Sequence, residues 1–189
     1  MSARAKVQPS MSVAEYLAFE ALSPNKHEYA AGQVFAMAGA SARHNRIALN
    51  IGARLHQVTR SGLCEAFIAD MRIQINEVIY YPDLMVCCDP NDRDPYLKTR
   101  PCLVVEVLSD STERIDRGEK LYNYQRIPTL EGYLLVSQDQ LRVDLYRRVG
   151  SVWEFTTYNQ REDHIALPCP ETTLALSEIY ERIEFDGAP

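Results

Sequence analysis

Two carboxylates stand where apolar strands should carry none. The run Cys102-Leu103-Val104-Val105-Glu106-Val107-Leu108 is apolar on both faces, as in a central strand covered from both sides. Glu106 interrupts it, on the face shared by Val104 and Leu108. A bare carboxylate there would cost several kcal/mol or stay protonated. Asp83 repeats the anomaly within Tyr80-Tyr81-Pro82-Asp83-Leu84-Met85-Val86-Cys87-Cys88, on the face of Tyr81 and Met85. Pro82 cannot donate to a ladder, so it marks a strand start or a bulge. If the two strands are neighbours, the acids converge. Two carboxylates and a backbone carbonyl form an oxygen-rich cage of the kind Mg²⁺ or Mn²⁺ prefers. Such an ion lowers the pKa of a bound water and neutralises a phosphate. The alternative for either acid alone is a structural pairing with a buried arginine, or a position facing a loop.

A second set follows. Asp116, Lys120 and Tyr124 recur every four residues and share one helix face. Asp116 before Lys120 is the favourable order for a solvated ion pair worth a few tenths of a kcal/mol. The other reading is that this helix, directly after the Glu106 strand, folds back over the same site. The chain has only four lysines, which gives Lys120 added weight. His44 precedes Ile47 by three and lies on the inward face of its helix.

The elements that must position these groups can be read from pattern. Ser12 and Glu15 form a capping box for a helix that Pro24 stops. His27 to Tyr29 and Val34 to Met37 flank Ala31-Gly32 as a hairpin. Ser41 caps a helix to about Val58, with Ile47, Ile51, Leu55 and Val58 on one face. Ala66–Ala69, Met71–Ile75 and Val78–Cys88 read as a meander, Asp89–Thr99 as a polar loop, and Cys102–Ser109 as a strand. Arg114–Arg126 reads as a helix ended by Pro128. Gly132–Ser137, Leu141–Arg147 and Val152–Tyr158 follow as strands, the last at an edge, before a closing helix over Leu176–Ile183. This order predicts one α/β domain, residues 1–189, with a mixed central β-sheet.

Composition narrows the class. The chain has 189 residues, 46% hydrophobic and 24% charged, which excludes a wholly disordered chain, a collagen and a coiled-coil rod. No apolar run approaches the length of a membrane helix, and the first ten residues lack the apolar core of a secretory signal. The five cysteines are odd in number, scattered and mostly within apolar runs, where they read as small hydrophobes in a reducing, cytoplasmic setting. No Cys-x-x-Cys pair, zinc-spaced histidines, Walker loop or nucleophile elbow occurs. Asp89 to Asp94 lacks the central glycine and closing glutamate of a calcium loop and reads as a solvated flap. The net charge of −6 disfavours nucleic-acid binding by bulk charge. Arg43, Arg46, Arg54, Arg114 and Arg117 offer local phosphate contacts or an ordinary surface.

The ordered set His44, Pro82-Asp83, Glu106-Val107-Leu108-Ser109, Asp116, Lys120 and Tyr124 resembles the Uma-two family of restriction-endonuclease-like proteins, in the PD-(D/E)XK nuclease superfamily. The resemblance runs from about Ser12 to Tyr158 and implies a restriction-endonuclease-like core, a mixed sheet flanked by helices. It implies that Asp83 and Glu106 are metal ligands, joined by the Val107 backbone carbonyl, with His44 near the metal and Glu28 a further acid lining the site. The superfamily lysine expected two residues after the second acid is Leu108 here. Lys120 is the candidate replacement, orienting the attacking water or steadying the phosphate, with Tyr124 supporting it. Three positions depart from the family pattern: Ala31-Gly32-Gln33 for Asp-Gly-Glu, Ser109-Asp110-Ser111-Thr112 for Ser-Pro-Ser-Thr, and Tyr133-Leu134-Leu135-Val136-Ser137 for Tyr-Trp-Leu-Val-Asp. None removes a proposed ligand.

The expected function is a Mg²⁺- or Mn²⁺-dependent DNA endonuclease, a cytoplasmic homodimer with no membrane partner. The rivals are a non-catalytic or partner-dependent dimer of the same fold, which Leu108 and the acidic charge favour, and a hydrolase of a smaller phosphoester. Glu28, His44, Asp83, Glu106, Lys120 and Tyr124 are the residues expected to carry catalysis.

Overall fold

The computed structural model of the chain describes residues 10–185. The expectation about a secretory signal falls mainly on residues 1–9 and lies outside the described residues.

Helix α1 (Val13–Glu20) opens on the expected capping box. Ser12 accepts from the Glu15 N–H, and the Glu15 carboxylate accepts from the Ser12 N–H at 2.8 Å. Strands β1 (His27–Ala30) and β2 (Gln33–Ala36) form the expected hairpin. Its two-residue turn places Ala31 at φ 46° and Gly32 at φ 90°, the left-handed pair that a tight hairpin needs. Helix α2 (Ala42–Thr59) is capped by Ser41, which accepts from the His44 N–H, and it buries Ile47, Ile51 and Leu55.

The run from 66 to 88 is not a meander. Strands β3 (Glu65–Ile68), β4 (Arg72–Ile75), β5 (Val78–Tyr80) and β6 (Leu84–Cys87) divide between two sheets. Pro82 is the physical reason: without an N–H it breaks what read as one strand, so β5 joins β4 and β1 while β6 joins β3. A short strand β7 (Leu97–Lys98) pairs in parallel with β4. The expected solvated flap is tied down. Buried Lys98 donates to the carbonyls of Asp92 and Asp94 at 2.6 and 3.0 Å, and Asp92 accepts from the N–H groups of Thr99 and Arg100.

Strand β8 (Pro101–Leu108) is buried at every position. Strands β9 (Gly132–Ser137), β10 (Val143–Val149) and β11 (Val152–Tyr158) complete a six-stranded mixed sheet in the order β11-β10-β9-β8-β6-β3. The five-stranded sheet runs β2-β1-β5-β4-β7. A hairpin of β12 (His164–Leu167) and β13 (Thr172–Ala175) was not legible in the sequence, and the closing helix α4 (Leu176–Ile179) is shorter than expected.

Two apolar layers explain the doubly apolar β8. One packs Ile47, Ile51 and Leu55 of α2 against Val105, Val107 and Leu134. The other packs Val104, Leu108 and Leu135 against Tyr80, Tyr124 and Tyr133. Because β8 and β9 are parallel, the chain must cross over between them. Helix α3, residues 113–124, makes that crossover, and its middle turn, Asp116–Lys120, is π-helical. Among the described residues, no helix is long and apolar enough to cross a membrane.

Candidate active site

The β6–β8 register sets the centre. Leu84 pairs with Val105 in an antiparallel ladder, so the preceding residue, Asp83, stands opposite Glu106. The Asp83 Oδ2 accepts from the Val107 N–H at 2.7 Å and lies 3.2 Å from the His44 Nε2. His44 reaches it from the first turn of α2, on the face that also buries Ile47 and Ile51.

The crossover lays α3 over Glu106. The buried Lys120 ammonium sits 2.9 Å from Glu28 Oε1, 3.2 Å from Glu106 Oε1 and 3.2 Å from Asp116 Oδ1. The solvated ion pair is therefore excluded: Lys120 and Asp116 are 5% and 1% exposed. A π-turn is uncommon and collects at functional sites; here its two ends carry this buried pair. The Tyr124 hydroxyl donates to Glu106 Oε1 at 2.8 Å. Glu28, on the β1–β2 hairpin, also accepts from the Tyr81 N–H at 3.2 Å. The six named residues thus form two linked groups, Lys120 with Glu28, Glu106 and Tyr124, and His44 with Asp83. Glu106 and the Val107 N–H that Asp83 holds are adjacent on β8.

The cluster holds more acidic than basic groups, Glu28, Asp83, Glu106 and Asp116 against Lys120 and His44. Burial pushes the Glu106 carboxyl far above its ordinary value; Asp116, Asp83 and Glu28 add to that push, and Lys120 only partly opposes it. Burial pulls Lys120 down, but Glu106, Glu28 and Asp116 outweigh it and hold the amine well above the ordinary lysine value. Burial also lowers His44, yet the Asp83 hydrogen bond and charge leave it raised. Burial, then Glu106, raises Tyr124 and keeps its hydroxyl a donor.

These residues fit a divalent cation in donor type and charge. Carboxylate and carbonyl oxygens with one imidazole suit Mg²⁺ or Mn²⁺, and the acids exceed their own cations. The spacing is looser than a closed cage. No three imidazole or carboxylate ligand atoms of the site lie within 4.8 Å of one another, and the Lys120 ammonium stands among Glu28, Glu106 and Asp116.

Several supporting residues escaped the sequence. Buried Glu20 accepts from the Tyr81 hydroxyl at 2.8 Å and the His27 N–H at 2.9 Å, which ties α1 and the hairpin to the chain beside Asp83. Its signal was its position four residues after buried Tyr16 on one helix face. Tyr80 donates to Glu119 at 2.7 Å and accepts from Asn123 at 2.8 Å, bracing α3 against β5.

Arg117, a candidate phosphate contact, is instead structural. It donates to Asp144 at 2.7 Å and to Glu113 at 2.7 Å. Asp144, flanked by Val143 and Leu145, would have been found by the same test that singled out Glu106. Burial pushes its carboxyl up, but hydrogen bonds from Thr157, Arg117 and Arg142 outweigh that and hold it below the ordinary range. Its stabilisation is therefore present above the unfolded value near 3.8 and is lost as pH falls through the lower folded value. Asp144→Ala should cost roughly 2–3 kcal/mol at pH 7. Urea unfolding from pH 7 to 2 should show that gap closing on the acid side.

The sequence profile of a family described as "Putative restriction endonuclease" (Uma2) matches residues 13–177. The chain belongs to the Uma2 family. "Uncharacterized protein slr1290" of Synechocystis is 39% identical over 181 residues, covering 94% of this chain and 95% of that protein. "Uncharacterized protein sll1609" of the same organism is 37% identical over 145 residues, covering 74% and 82%. A crystal structure titled as a putative nuclease belonging to DUF820, from Anabaena variabilis, superposes with a TM-score of 0.73 at 16% identity, over 90% of this chain and 97% of that one. That likeness establishes the nuclease-type α/β fold. Membership of the family supports a nuclease-like function for this Uma2 chain.

Proposed function

We propose that this Uma2 protein is a cytoplasmic, metal-dependent DNA endonuclease that works as a homodimer, one site for each strand. The observation that carries the reading is the acid-rich cluster in which Asp83 and Glu106 stand opposite each other across β6 and β8 with Lys120 3.2 Å from Glu106. Asp83, Glu106 and the Val107 carbonyl would hold Mg²⁺ or Mn²⁺, with His44 beside them. When bound, the ion supplies an acidified water and charge neutralisation at the phosphate.

The chain's own groups do the rest. Tyr124 donates to Glu106 and fixes its carboxylate. His44 and the Val107 N–H do the same for Asp83. Glu28 and Asp116 hold Lys120 charged, so that its ammonium orients the attacking water and stabilises charge on the phosphate oxygens. Lys120 thereby takes the part that Leu108, buried in the apolar layer, cannot.

The test is calorimetric titration of Mg²⁺ and Mn²⁺ into the wild type, Asp83→Ala and Glu106→Ala, with plasmid nicking on the same samples. Both substitutions should abolish cation binding and nicking together. Lys120→Ala should keep cation binding and lower nicking about 10²–10³-fold. Equal cation binding by wild type and both variants would sink the metal assignment. Binding without nicking would favour the non-catalytic or partner-dependent reading, which the net charge of −6 also supports. Cleavage of a small phosphoester with little dependence on salt would favour the third reading, since a polyanion must show a steep one.

A further inference from the structure

Four of the five cysteines take no part in the acidic site, yet they meet at the opposite end of its two central strands. Asp83 precedes β6 and Cys88 follows it, a span of roughly 16 Å at the usual strand rise. Cys102 lies at the start of β8, and Cys64 faces Cys88 by continuation of the Glu65–Cys87 pairing. Cys169 comes from the turn between β12 and β13. In the oxidised form described, Cys64 is bonded to Cys88 and Cys102 to Cys169.

The two pairs are not separate staples. Cys88 Sγ lies 3.4 Å from Cys102 Sγ and 3.3 Å from Cys169 Sγ. The sulfurs of Cys64, Cys88 and Cys169 all lie within 4.8 Å of one another. A tetrahedral zinc–thiolate centre, with Zn–S near 2.3 Å, holds its sulfurs about 3.8 Å apart. Cys102 Sγ lies outside that group, so after reduction side-chain rotation must bring it and Cys64 Sγ closer for all four to surround one ion. Cys102 and Cys169 are buried and Cys64 and Cys88 half-buried, which suits a closed, four-ligand structural site. A recess lined by Cys88, Arg100, Cys102 and Cys169 opens to the surface beside them and gives an ion a way in.

We propose that, in the reduced protein, Cys64, Cys88, Cys102 and Cys169 together bind one tetrahedral, thiophilic divalent metal ion of the zinc class. Reduction of the two disulfides takes four electrons and four protons from two molecules of a dithiol reductant, which leave as their own disulfides. The ion then displaces the thiol protons to solvent as the sulfurs coordinate it. The centre fastens β3, β6, β8 and the β12–β13 hairpin to one another from four separate segments. This rests on the cytoplasmic location proposed above, where thiols are kept reduced and the metal-bound form would be the resident one.

The full-length chain, reduced and freed of reductant without air, should take up one Co²⁺ with the strong near-ultraviolet bands of sulfur-to-cobalt charge transfer. Zn²⁺ should displace that Co²⁺ stoichiometrically. Cys102→Ser and Cys169→Ser should each weaken the bands and the cobalt affinity, whereas Cys87→Ala and Asp83→Ala should keep both. Cobalt held on carboxylates gives no such bands, so the two sites are read separately. If the serine variants fail to fold, zinc protection of the wild type serves instead: alkylation of these four thiols, counted by mass spectrometry, should slow about tenfold or more with zinc. A reduced, folded wild type with no charge-transfer bands, bands undiminished in both serine variants, or alkylation indifferent to zinc would each overturn the proposal.

Discussion

Lys120→Met should cost the metal-free protein about 3–5 kcal/mol of folding stability, the usual penalty for removing one partner of a buried ionic cluster. Methionine matches the volume of the lysine stem, so the loss would come from charge and not from a cavity. It would leave Glu28, Glu106 and Asp116 facing one another with no cation between them. Protonation of Glu106, already raised by burial and its acidic neighbours, would limit the damage, so the loss should shrink in mild acid. The wild type should show the opposite limb. Lys120 is held above its unfolded value near 10.5. Its contribution is therefore complete below that pH and lost as pH rises through the folded value. Urea unfolding of both proteins between pH 5 and 11 reads both limbs. In Lys120→Met, Mn²⁺ should recover part of the stability, and adding Asp83→Ala should remove that recovery. An unchanged midpoint in Lys120→Met would mean that the three acids are neutral without it and that the cluster has no need of a cation.

Glu106→Gln should do the reverse, stabilising the metal-free protein by about 1–2 kcal/mol at pH 7 while abolishing cation binding and nicking. Glutamine keeps an Oε1 to accept from Tyr124 and Lys120, the two bonds that Glu106 makes. What disappears is a carboxyl whose folded value lies well above 4.5, first through burial and then through Asp116, Asp83 and Glu28. Such a group lets the folded state keep a proton that the unfolded chain releases. Wild-type stability should therefore decline as pH rises from about 4.5 towards the folded value, and Glu106→Gln should be flat across that window. Thermal melts at pH 4 and pH 7 separate the outcomes. A variant less stable than wild type at pH 7 would show that the Glu106 charge is already balanced by Lys120. A stabilised but inactive variant is the signature of a site whose strain is retained for function.

Much of the site could be read from the chain because burial leaves a local trace. An acid in a doubly apolar run, such as Glu106, announces a buried carboxylate, since only pairing or a ligand can offset its desolvation. Helical period placed His44 with Ile47 and aligned Asp116, Lys120 and Tyr124. Pro82 marked a strand boundary, though its consequence, the division of β5 and β6 between two sheets, was not legible. Glu28 had no local signal apart from the family resemblance. It meets Lys120 only because the hairpin pairs with β5 and α3 crosses above it. The cysteines read as scattered hydrophobes, and nothing in their spacing brings Cys64 to Cys88 or Cys102 to Cys169.

By itself, then, the sequence determined which side chains are out of place and which face of which element they occupy, because alternation and helical period are properties of neighbouring residues. Only the tertiary structure decided who meets whom. The register of β6 on β8, the parallel crossover of α3 and the return of the β12–β13 hairpin join residues far apart in the chain. Those joinings are selected by the packing of whole apolar layers, which no short window of sequence contains.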